Sequence, residues 1–531
     1  MERRFEDFWT MELAQSAGLI EKKGTVNPLV DKLVYDSREV VERTLFFALN
    51  GLHTDGHRFI DSAIDAGACV IVHETLLPQT RAGVIYLHVR SSRAAMSPIA
   101  AAFYGEPSRH LAVIGVTGTE GKSTTVYLIF QLLRLAGKKC GFISTVEFSV
   151  DGSEHPNPQH QTTPEASQIH RMLAEMLKNG LEYAVLESSS HGLSPRTGRL
   201  ANVAFDVGVM TNVTHEHLEF HGTWECYRDD KANLFRALNA VNHTKIIAGS
   251  TKDIPAFGVV NAADPSARFF TAATTKPVIA FNTQGSNTDY PADFYIENLT
   301  GGAEGNSYKV VSADGQTLVR DELPGAFNAG NVLAALIVVS RLLNMPVHAL
   351  CPLVSRLCPV RGRMTAIKCG QPFEVLVDYA HTPSSFEAIF PPLRRRLDAT
   401  GGRIIALFGS AGERDTQKRP AQGAIASRWA DIIVLCDEDP RGEDPLSILE
   451  DIAAGITGKN RGSSLFLIPE RSEAVRKACS LARPGDLVLL LGKGHENSII
   501  YSRNGRQTIP YDEITEAEQA LRAVYIEEAT S

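Results

Sequence analysis

A chain of 531 residues is too long for one hydrophobic core, and ordinary domain sizes divide it into about three to four. Apolar residues make up 44% and charged residues 21%, the balance of a globular protein, and a net charge of -8 argues against a general nucleic-acid footprint. Eight cysteines without a CxxC pair, no apolar run near ~20 residues, and a polar start (Met1-Glu-Arg-Arg-Phe-Glu-Asp7) predict reduced thiols, no membrane span and no signal peptide, hence a cytoplasmic protein.

Residues 1–107 read as a small α/β unit. Lys32–Tyr35 is a short strand leading into Asp36-Ser-Arg38, which by itself could be no more than a turn with a salt bridge. Thr44–Leu49 is a second strand, Gly51–His57 a loop, and Phe59–Ala66 a helix stopped by Gly67. Ala68–Val72 is a third strand, and Tyr104-Gly-Glu-Pro-Ser108 reads as a linker.

A second domain then opens on the strand Leu111–Val116, followed by Gly118-Thr-Glu-Gly-Lys-Ser-Thr124 and a helix with apolar Val126, Ile129, Phe130 and Leu133. Strand, glycine turn and helix in that order make a phosphate site, because loop N–H groups and the helix N-terminus both face the anion. Lys122 would reach terminal phosphates and Ser123 would offer its hydroxyl to Mg²⁺. The standard pattern has a glycine five residues before Gly121, where Val116 stands; Gly115 is one position early.

Gly141–Ser144 is the next strand, and Pro164 in Thr162-Thr-Pro-Glu165 sits early in a helix that runs to Gly180. Tyr183–Glu187 ends in an acid beside the phosphate loop, where an α/β nucleotide site needs a cation ligand. Phe205–Met210 is a third buried strand, running into Thr211-Asn-Val-Thr-His-Glu-His217 and on to His221; the spacing is not HExxH, so a zinc reading is weak. A helix follows over Trp224–Leu238, with Lys231 in a flank, Arg228-Asp-Asp-Lys231, that by composition is a solvated face. A β-rich insertion is predicted over 290–320, then an apolar helix over Ala329–Leu343.

After a break near 352–360 the chain alternates strand and helix: 374–378, 403–408, 431–436, 464–468 and 486–491 as strands, with helices between. Such spacing means right-handed crossovers and a mostly parallel sheet with ligands at the strand C-termini. Four polar loops fall there: Asp378-Tyr-Ala-His381, Gly409–Asp415, Asp437-Glu-Asp-Pro-Arg441 and Gly492-Lys-Gly-His-Glu496.

Together, Gly118–Thr124, Glu187-Ser-Ser-Ser-His-Gly192, Thr211-Asn, His217, Lys231, Asn328, Asn331, Gly362-Arg-Met364, Asp378–His381 and Gly492–Glu496 resemble the ATP-dependent Mur ligases of peptidoglycan synthesis. Asp36-Ser-Arg38, Thr162-Thr163 and Asp-Pro-Arg441 resemble most the members that add the third, diamino acid residue to UDP-MurNAc-L-Ala-D-Glu. The resemblance implies three α/β domains: a UDP-binding domain (1–107), a central P-loop ATPase (108–354) and a Rossmann-like amino-acid-binding domain (355–531). It implies ATP phosphorylation of the D-Glu γ-carboxylate, attack by a free diamino acid on the acyl phosphate, two Mg²⁺ sites, a monomer, and domain closure over ATP.

The roles it implies are these. Ser123, Glu187, His217 and a CO₂-carbamylated Lys231 hold metal, with Lys122 catalytic beside them. Gly118, Thr119, Glu120, Gly121, Lys122, Ser123, Thr124, Asn328, Asn331, Arg363, Asp378 and His381 contact ATP, with Tyr379 near the adenine or ribose. Ser37, His53, Thr162, Thr163, Ser189 and Arg199 contact the UDP-sugar dipeptide, with Arg196 competing for the place of Arg199. Arg414, Asp439, Pro440, Arg441, Gly492 and Glu496 contact the incoming amino acid.

Two departures stand out. Glu120 occupies a position where the family usually has Asn, and puts a negative charge beside phosphates. Asp439 replaces the amide of an Asp-Asn-Pro-Arg loop. An acid there suits a bare ammonium, which favours L-lysine or L-ornithine, whereas Arg414 and Arg441 suit the second carboxylate of meso-diaminopimelate. Three alternatives remain: a folylpolyglutamate synthetase, which lacks the Asp-Ser-Arg domain; the D-Ala-D-Ala-adding Mur ligase; and a relic that binds ATP without chemistry, favoured only by Glu120.

Overall fold

The structure, a computed structural model, describes residues 2–51, 54–157, 161–214, 218–285, 290–301, 305–502 and 507–523. His53 and His217, both expected at the site, lie outside them. The chain forms two compact units, Met1–Tyr295 with Leu333–Leu350, and Ile296–Val332 with Cys351–Ser531.

The first unit opens with a five-stranded sheet of β1 (Leu19–Lys23), β2 (Lys32–Val34), β3 (Thr44–Phe47), β4 (Ala68–His73) and β5 (Ile85–Val89). Its order is β1-β5-β4-β3-β2, parallel except for edge strand β1. Helix α1 (Ile60–Asp65) covers one face and α2 (Ser92–Phe103) the other. Pro98 stands inside α2, yet both its neighbours are buried, so packing holds the helix through the lost hydrogen bond.

The larger sheet contains β6 (Ala112–Thr117), β7 (Cys140–Ile143), β8 (Glu147–Ser149), β9 (His155–Pro156), β10 (Tyr183–Glu187), β11 (Val207–Met210), β12 (Phe257–Asn261) and β13 (Val278–Asn282), in the order β9-β8-β7-β10-β6-β11-β12-β13. From β7 to β13 all pairs are parallel, and β6, β10 and β11 are buried throughout apart from Tyr183. That burial explains their continuous apolar composition. Helices α3 (Lys122–Leu135), α4 (Ala166–Lys178) and α5 (Trp224–Ala237) pack on it. The expected linker is pinned at the N-terminal end of this sheet. Buried Lys245 donates to the carbonyls of Ser108, Leu111 and Ala204 and to Asp206 Oδ2, at 2.6–3.0 Å.

In the second unit, β14 (Asn306–Ser312) and β15 (Gly315–Asp321) form the expected β-rich insertion as a hairpin. The C-terminal sheet comprises β16 (Thr365–Ala366), β17 (Glu374–Asp378), β18 (Ile404–Phe408), β19 (Ile432–Leu435), β20 (Leu465–Leu467) and β21 (Leu487–Leu491), in the order β16-β17-β21-β18-β19-β20. It is parallel except at β16, with α6 (Pro383–Asp398), α7 (Lys418–Trp429), α8 (Pro445–Ala453) and α9 (Arg471–Ser480) as crossovers. The hairpin β22 (Ser498–Tyr501) and β23 (Gln507–Pro510) and helix α10 (Glu513–Leu521) complete it. Among the described residues, no helix is long and apolar enough to cross a membrane.

Helices α2 and α4 pack on one another through His170, which is fully buried. Its Nε2 stands 3.4 Å from Ser97 Oγ and its Nδ1 has no partner among the described residues, and burial lowers its pKa from 6.5 to about 3. Between those values the unfolded chain takes up a proton that the folded one refuses, so this group costs stability as pH falls from 6.5 toward 3. The variant His170→Leu should therefore lose less of its thermal midpoint than the wild type between pH 7 and pH 4.5. A calorimetric pH series on both proteins checks this.

Candidate active site

The phosphate loop leaves β6 at Thr117. Gly118 has φ +153°, and a Cβ there would lie 1.9 Å from Thr211 Oγ1, so only glycine fits. Gly121, at φ +80°, caps α3 and aims its first N–H groups at the loop. The segment after β11 grips the loop from below. Asn212 Oδ1 accepts from Glu120 N at 2.8 Å, and the Glu120 carbonyl accepts from Thr211 Oγ1 at 2.6 Å and Asn212 Nδ2 at 3.2 Å. The Thr211-Asn pair thus serves to hold loop geometry.

Two ionisable side chains converge on this loop. Ser123 Oγ lies 3.0 and 2.9 Å from the two oxygens of Glu187, at the end of β10. Thr145, at the end of the strand pair β7–β8, donates to Glu187 Oε2 through both its N–H and its hydroxyl. A buried carboxylate and hydroxyl in contact form an all-oxygen donor set, which a hard cation such as Mg²⁺ prefers. Among the described residues, no group of three or more His, Cys, Asp and Glu side chains is close enough to hold a metal. Lys231 is buried, although its flank suggested a solvated face. Its Nζ donates to the Gly118 carbonyl at 2.6 Å and lies 4.3 Å from the Tyr227 ring centre. Tyr227 in turn reaches Thr119 Oγ1 at 3.1 Å, and Lys122 Nζ donates to the Thr119 carbonyl at 2.7 Å.

Thr163, Ser189 and Arg199 stand together. Thr163 Oγ1 donates to the Glu187 carbonyl at 3.0 Å and pairs with Ser189 Oγ at 2.9 Å, while Arg199 Nη1 donates to the Thr163 carbonyl at 2.8 Å. Arg196 points elsewhere, donating to the Phe220 carbonyl. Ser37 lies in a short helical turn capped by Asp36, which also pairs with Arg38. Two residues escaped the sequence reading: Thr145 binds Glu187, and Glu165 joins Arg199. His221, which the sequence offered only as one of a cluster of histidines and glutamates that could hold a metal, is buried between Asp230 and Ser190 and ties α5 to the turn bearing Ser189. Thr145 was findable from its place at a strand C-terminus.

In the second unit, Gly362 (φ +69°) presses on the Gly494-His495 backbone, where a Cβ would lie 2.3 Å from His495 N. The next residue, Arg363, stacks 4.7 Å from the Tyr379 ring centre, and His381 and His495 lie against the same ring. Asp378 is buried and accepts from the Met364 and Ala380 amides; burial raises its pKa against the pull of Arg363. Asn331 Nδ2 donates to Asn328 Oδ1, and Asn328 to the Pro324 carbonyl.

The loops after β19 and β21 are held by cations of the chain itself. Buried Arg471 pairs with Glu513 and donates to the carbonyls of Asp437 and Leu491, fixing two strand ends together. Lys493, fully buried, pairs with Asp439 at 3.0 Å and with Glu496 at 2.5 Å. Burial opposes its charge, but the two carboxylates outweigh this and raise its pKa. Asp439 Oδ1 also accepts from Ile500 N, so this carboxylate already has a cation and an amide. Arg441 adopts φ +55° and pairs with Tyr501 in an isolated bridge. Pro440 and Gly492 are buried, and Arg414 is exposed. Burial pushes Asp437 up to about 6, although the Tyr501 hydroxyl and Arg471 favour its charge.

Comparison with known proteins covers nearly the whole chain. The family model described as "Mur ligase family, catalytic domain" matches residues 30–104, "Mur ligase middle domain" matches 116–339, and "Mur ligase, glutamate ligase domain" matches 362–494. The UDP-N-acetylmuramyl-tripeptide synthetase of Treponema pallidum is 51% identical over 514 residues, covering 93% of this chain and 94% of that protein. The UDP-N-acetylmuramoyl-L-alanyl-D-glutamate--2,6-diaminopimelate ligase of Geobacillus kaustophilus is 35% identical over 93% of this chain and 96% of that one. A solved structure of a ligase of the latter name superposes with a TM-score of 0.58 at 28% identity, over 93% of this chain and 95% of that one.

Removing the Lys493 ammonium would leave buried Asp439 and partly buried Glu496 without the cation they share. Lys493→Met should cost about 3–5 kcal/mol of stability, the usual scale for breaking a buried pair. The double variant Lys493→Met/Asp439→Asn should recover part of it, read from urea unfolding midpoints of the three proteins.

Proposed function

The chain belongs to the Mur ligase family, a family of three-domain α/β enzymes that use ATP and Mg²⁺, and from that premise we propose that it is a UDP-N-acetylmuramyl-tripeptide synthetase. The reaction joins a free diamino acid to the D-Glu γ-carboxylate of UDP-MurNAc-L-Ala-D-Glu at the expense of ATP. In this reading the chain divides at 107/108 and 354/355 into the substrate, ATPase and amino-acid domains. The observation that carries it is the convergence of Glu187, through Ser123, and of Lys231, through Gly118, on one glycine loop.

A carboxylate is a poor acyl donor, so it must acquire a leaving group before an amine can displace anything from it. The γ-carboxylate oxygen attacks the terminal phosphorus of ATP and ADP leaves; the amine then attacks the acyl carbon, phosphate leaves with the C–O bonding pair, and the nitrogen gives up a proton to solvent. Such a transfer is accelerated mainly by positioning and by positive charge. The loop N–H groups and Lys122 hold the phosphates. Ser123 and Glu187 would hold a Mg²⁺, which when bound supplies the charge that neutralises the transferring group. Thr163, Ser189 and Arg199 orient the peptide acid from below Glu187.

Lys231 has an ammonium buried against a carbonyl and a ring. Addition of its free amine to CO₂, with loss of a proton, would give a carbamate. That converts a cation into an oxygen ligand for a second Mg²⁺, together with His217. We place a basic diamino acid, L-lysine or L-ornithine, ahead of meso-diaminopimelate. Two acids, Asp439 and Glu496, share the one buried Lys493, and a third, Glu438, is buried with Oε2 unpartnered among the described residues. That charge balance suits a distal ammonium without a carboxylate.

Phosphate release with ATP, Mg²⁺ and UDP-MurNAc-L-Ala-D-Glu, run against L-lysine, L-ornithine, meso-diaminopimelate and D-Ala-D-Ala, tests the assignment. Release should depend on one diamino acid; none with any acceptor, despite ATP binding, would make the chain a nucleotide-binding relic. Lys231→Ala should lower kcat by about 10²-fold or more, the scale of a lost electrostatic catalyst, and added short-chain carboxylic acids should restore part of it.

A further inference from the structure

Glu165 is the N-cap residue of α4, yet its side chain does not cap that helix. It turns instead toward two guanidiniums and is almost fully buried. Its Oε1 accepts from Arg93 Nη1 at 2.8 Å and from Arg199 Nη2 at 2.8 Å. Arg93 comes from α2 on the N-terminal sheet, and Arg199 from the segment after Ser189. Arg199 is held a second time by the Thr163 carbonyl. Both arginines keep an edge toward solvent, with side-chain exposures of 28% and 15%. Tyr35, next to the Asp36-Ser-Arg38 turn, feels the charges of both Glu165 and Arg199.

We infer that Glu165 is a positioning residue that sets Arg93 and Arg199 side by side as a receptor for the non-reacting α-carboxylate of the substrate's D-Glu. The inference rests on the synthetase reading above and deepens it. Two guanidiniums left alone repel and rotate apart. One carboxylate between them holds their planes and leaves a net charge of +1, which one further carboxylate neutralises. The D-Glu residue carries two carboxylates. The γ-group must reach the phosphate loop, so the α-group needs a separate seat. The Thr163 hydroxyl, bonded to the Glu187 carbonyl, fixes the spacing between that seat and the loop acid.

The receptor is also wired to the N-terminal sheet. Glu74 Oε2 accepts from Ser92 N beside Arg93, Glu74 N donates to His57 Nε2, and His57 Nδ1 meets Asp55. Arg93 is therefore the point where the N-terminal sheet contributes a charge to the peptide end of the substrate.

The test compares UDP-MurNAc-L-Ala-D-Glu with its D-isoglutamine analogue, in which only the α-carboxylate is an amide. The wild type should prefer the acid. In Glu165→Gln and in Arg93→Ala, KM for the acid should rise about tenfold or more, the scale of a lost charge-assisted contact, while KM for ATP stays and the preference over the amide collapses. Glu165→Asp should restore part of the preference. If Glu165 were only a strut between helices, the variants would lose thermal stability with the acid-to-amide ratio unchanged, and that result overturns the inference. Absence of any turnover by the wild type on the acid would instead sink the synthetase reading itself. Should Glu165→Gln not fold, Arg93→Ala and Arg93→Lys carry the same comparison.

Discussion

One carboxylate, Glu187, joins three parts of the first unit. Its side chain gathers Ser123 from the phosphate loop and Thr145 from the neighbouring strand end; its carbonyl gathers Thr163 from the loop before α4. It can do so because β10 lies between β7 and β6 in a parallel register, which brings the C-termini of all three strands to one edge. The acid is affordable in that position only because hydroxyl and amide donors surround it. The proposed metal site and the fold's internal order thus make the same demand on the same residue.

A second theme is the burial of cations. Lys231, Lys245, Arg471 and Lys493 are all buried, and each has acceptors supplied by strand ends or by acids. Lys245 fixes loops where they enter the first unit's sheet, and Arg471 fixes loops where they leave the C-terminal sheet. Lys493 sits just after β21 and joins Asp439 to Glu496. A buried charge without partners would be untenable, so these networks define one arrangement of the loops rather than several.

The strand–helix alternation was legible because parallel strands buried on both faces read as unbroken apolar runs, as Leu487–Leu491 and Ile404–Phe408 do. Elements that break the pattern were not. Edge strand β1 is Leu-Ile-Glu-Lys-Lys and mostly exposed, and α2 hides a proline among buried residues. The motif residues near the loop were legible by kind, but their neighbours were not. Glu165 looks like an ordinary acid at a helix start, and Asp230 and Lys231 look like a charged surface. Only tertiary packing distinguishes these from solvated residues. Asp439 was read as free to meet an ammonium. The sequence contained Lys493 as well, but not the distance between them.

Glu120 illustrates how such a loop separates shape from charge. Its backbone N–H and carbonyl are both held by the Thr211-Asn212 pair, which fixes the curve of the loop at this position through the peptide groups. The acid that stands here in place of the expected amide lies between Gly118 and Gly121, the two loop positions where φ is positive. What the replacement does change is potential. The loop N–H groups, the start of α3 and Lys122 supply positive potential to a phosphate, and an acid among them subtracts from it.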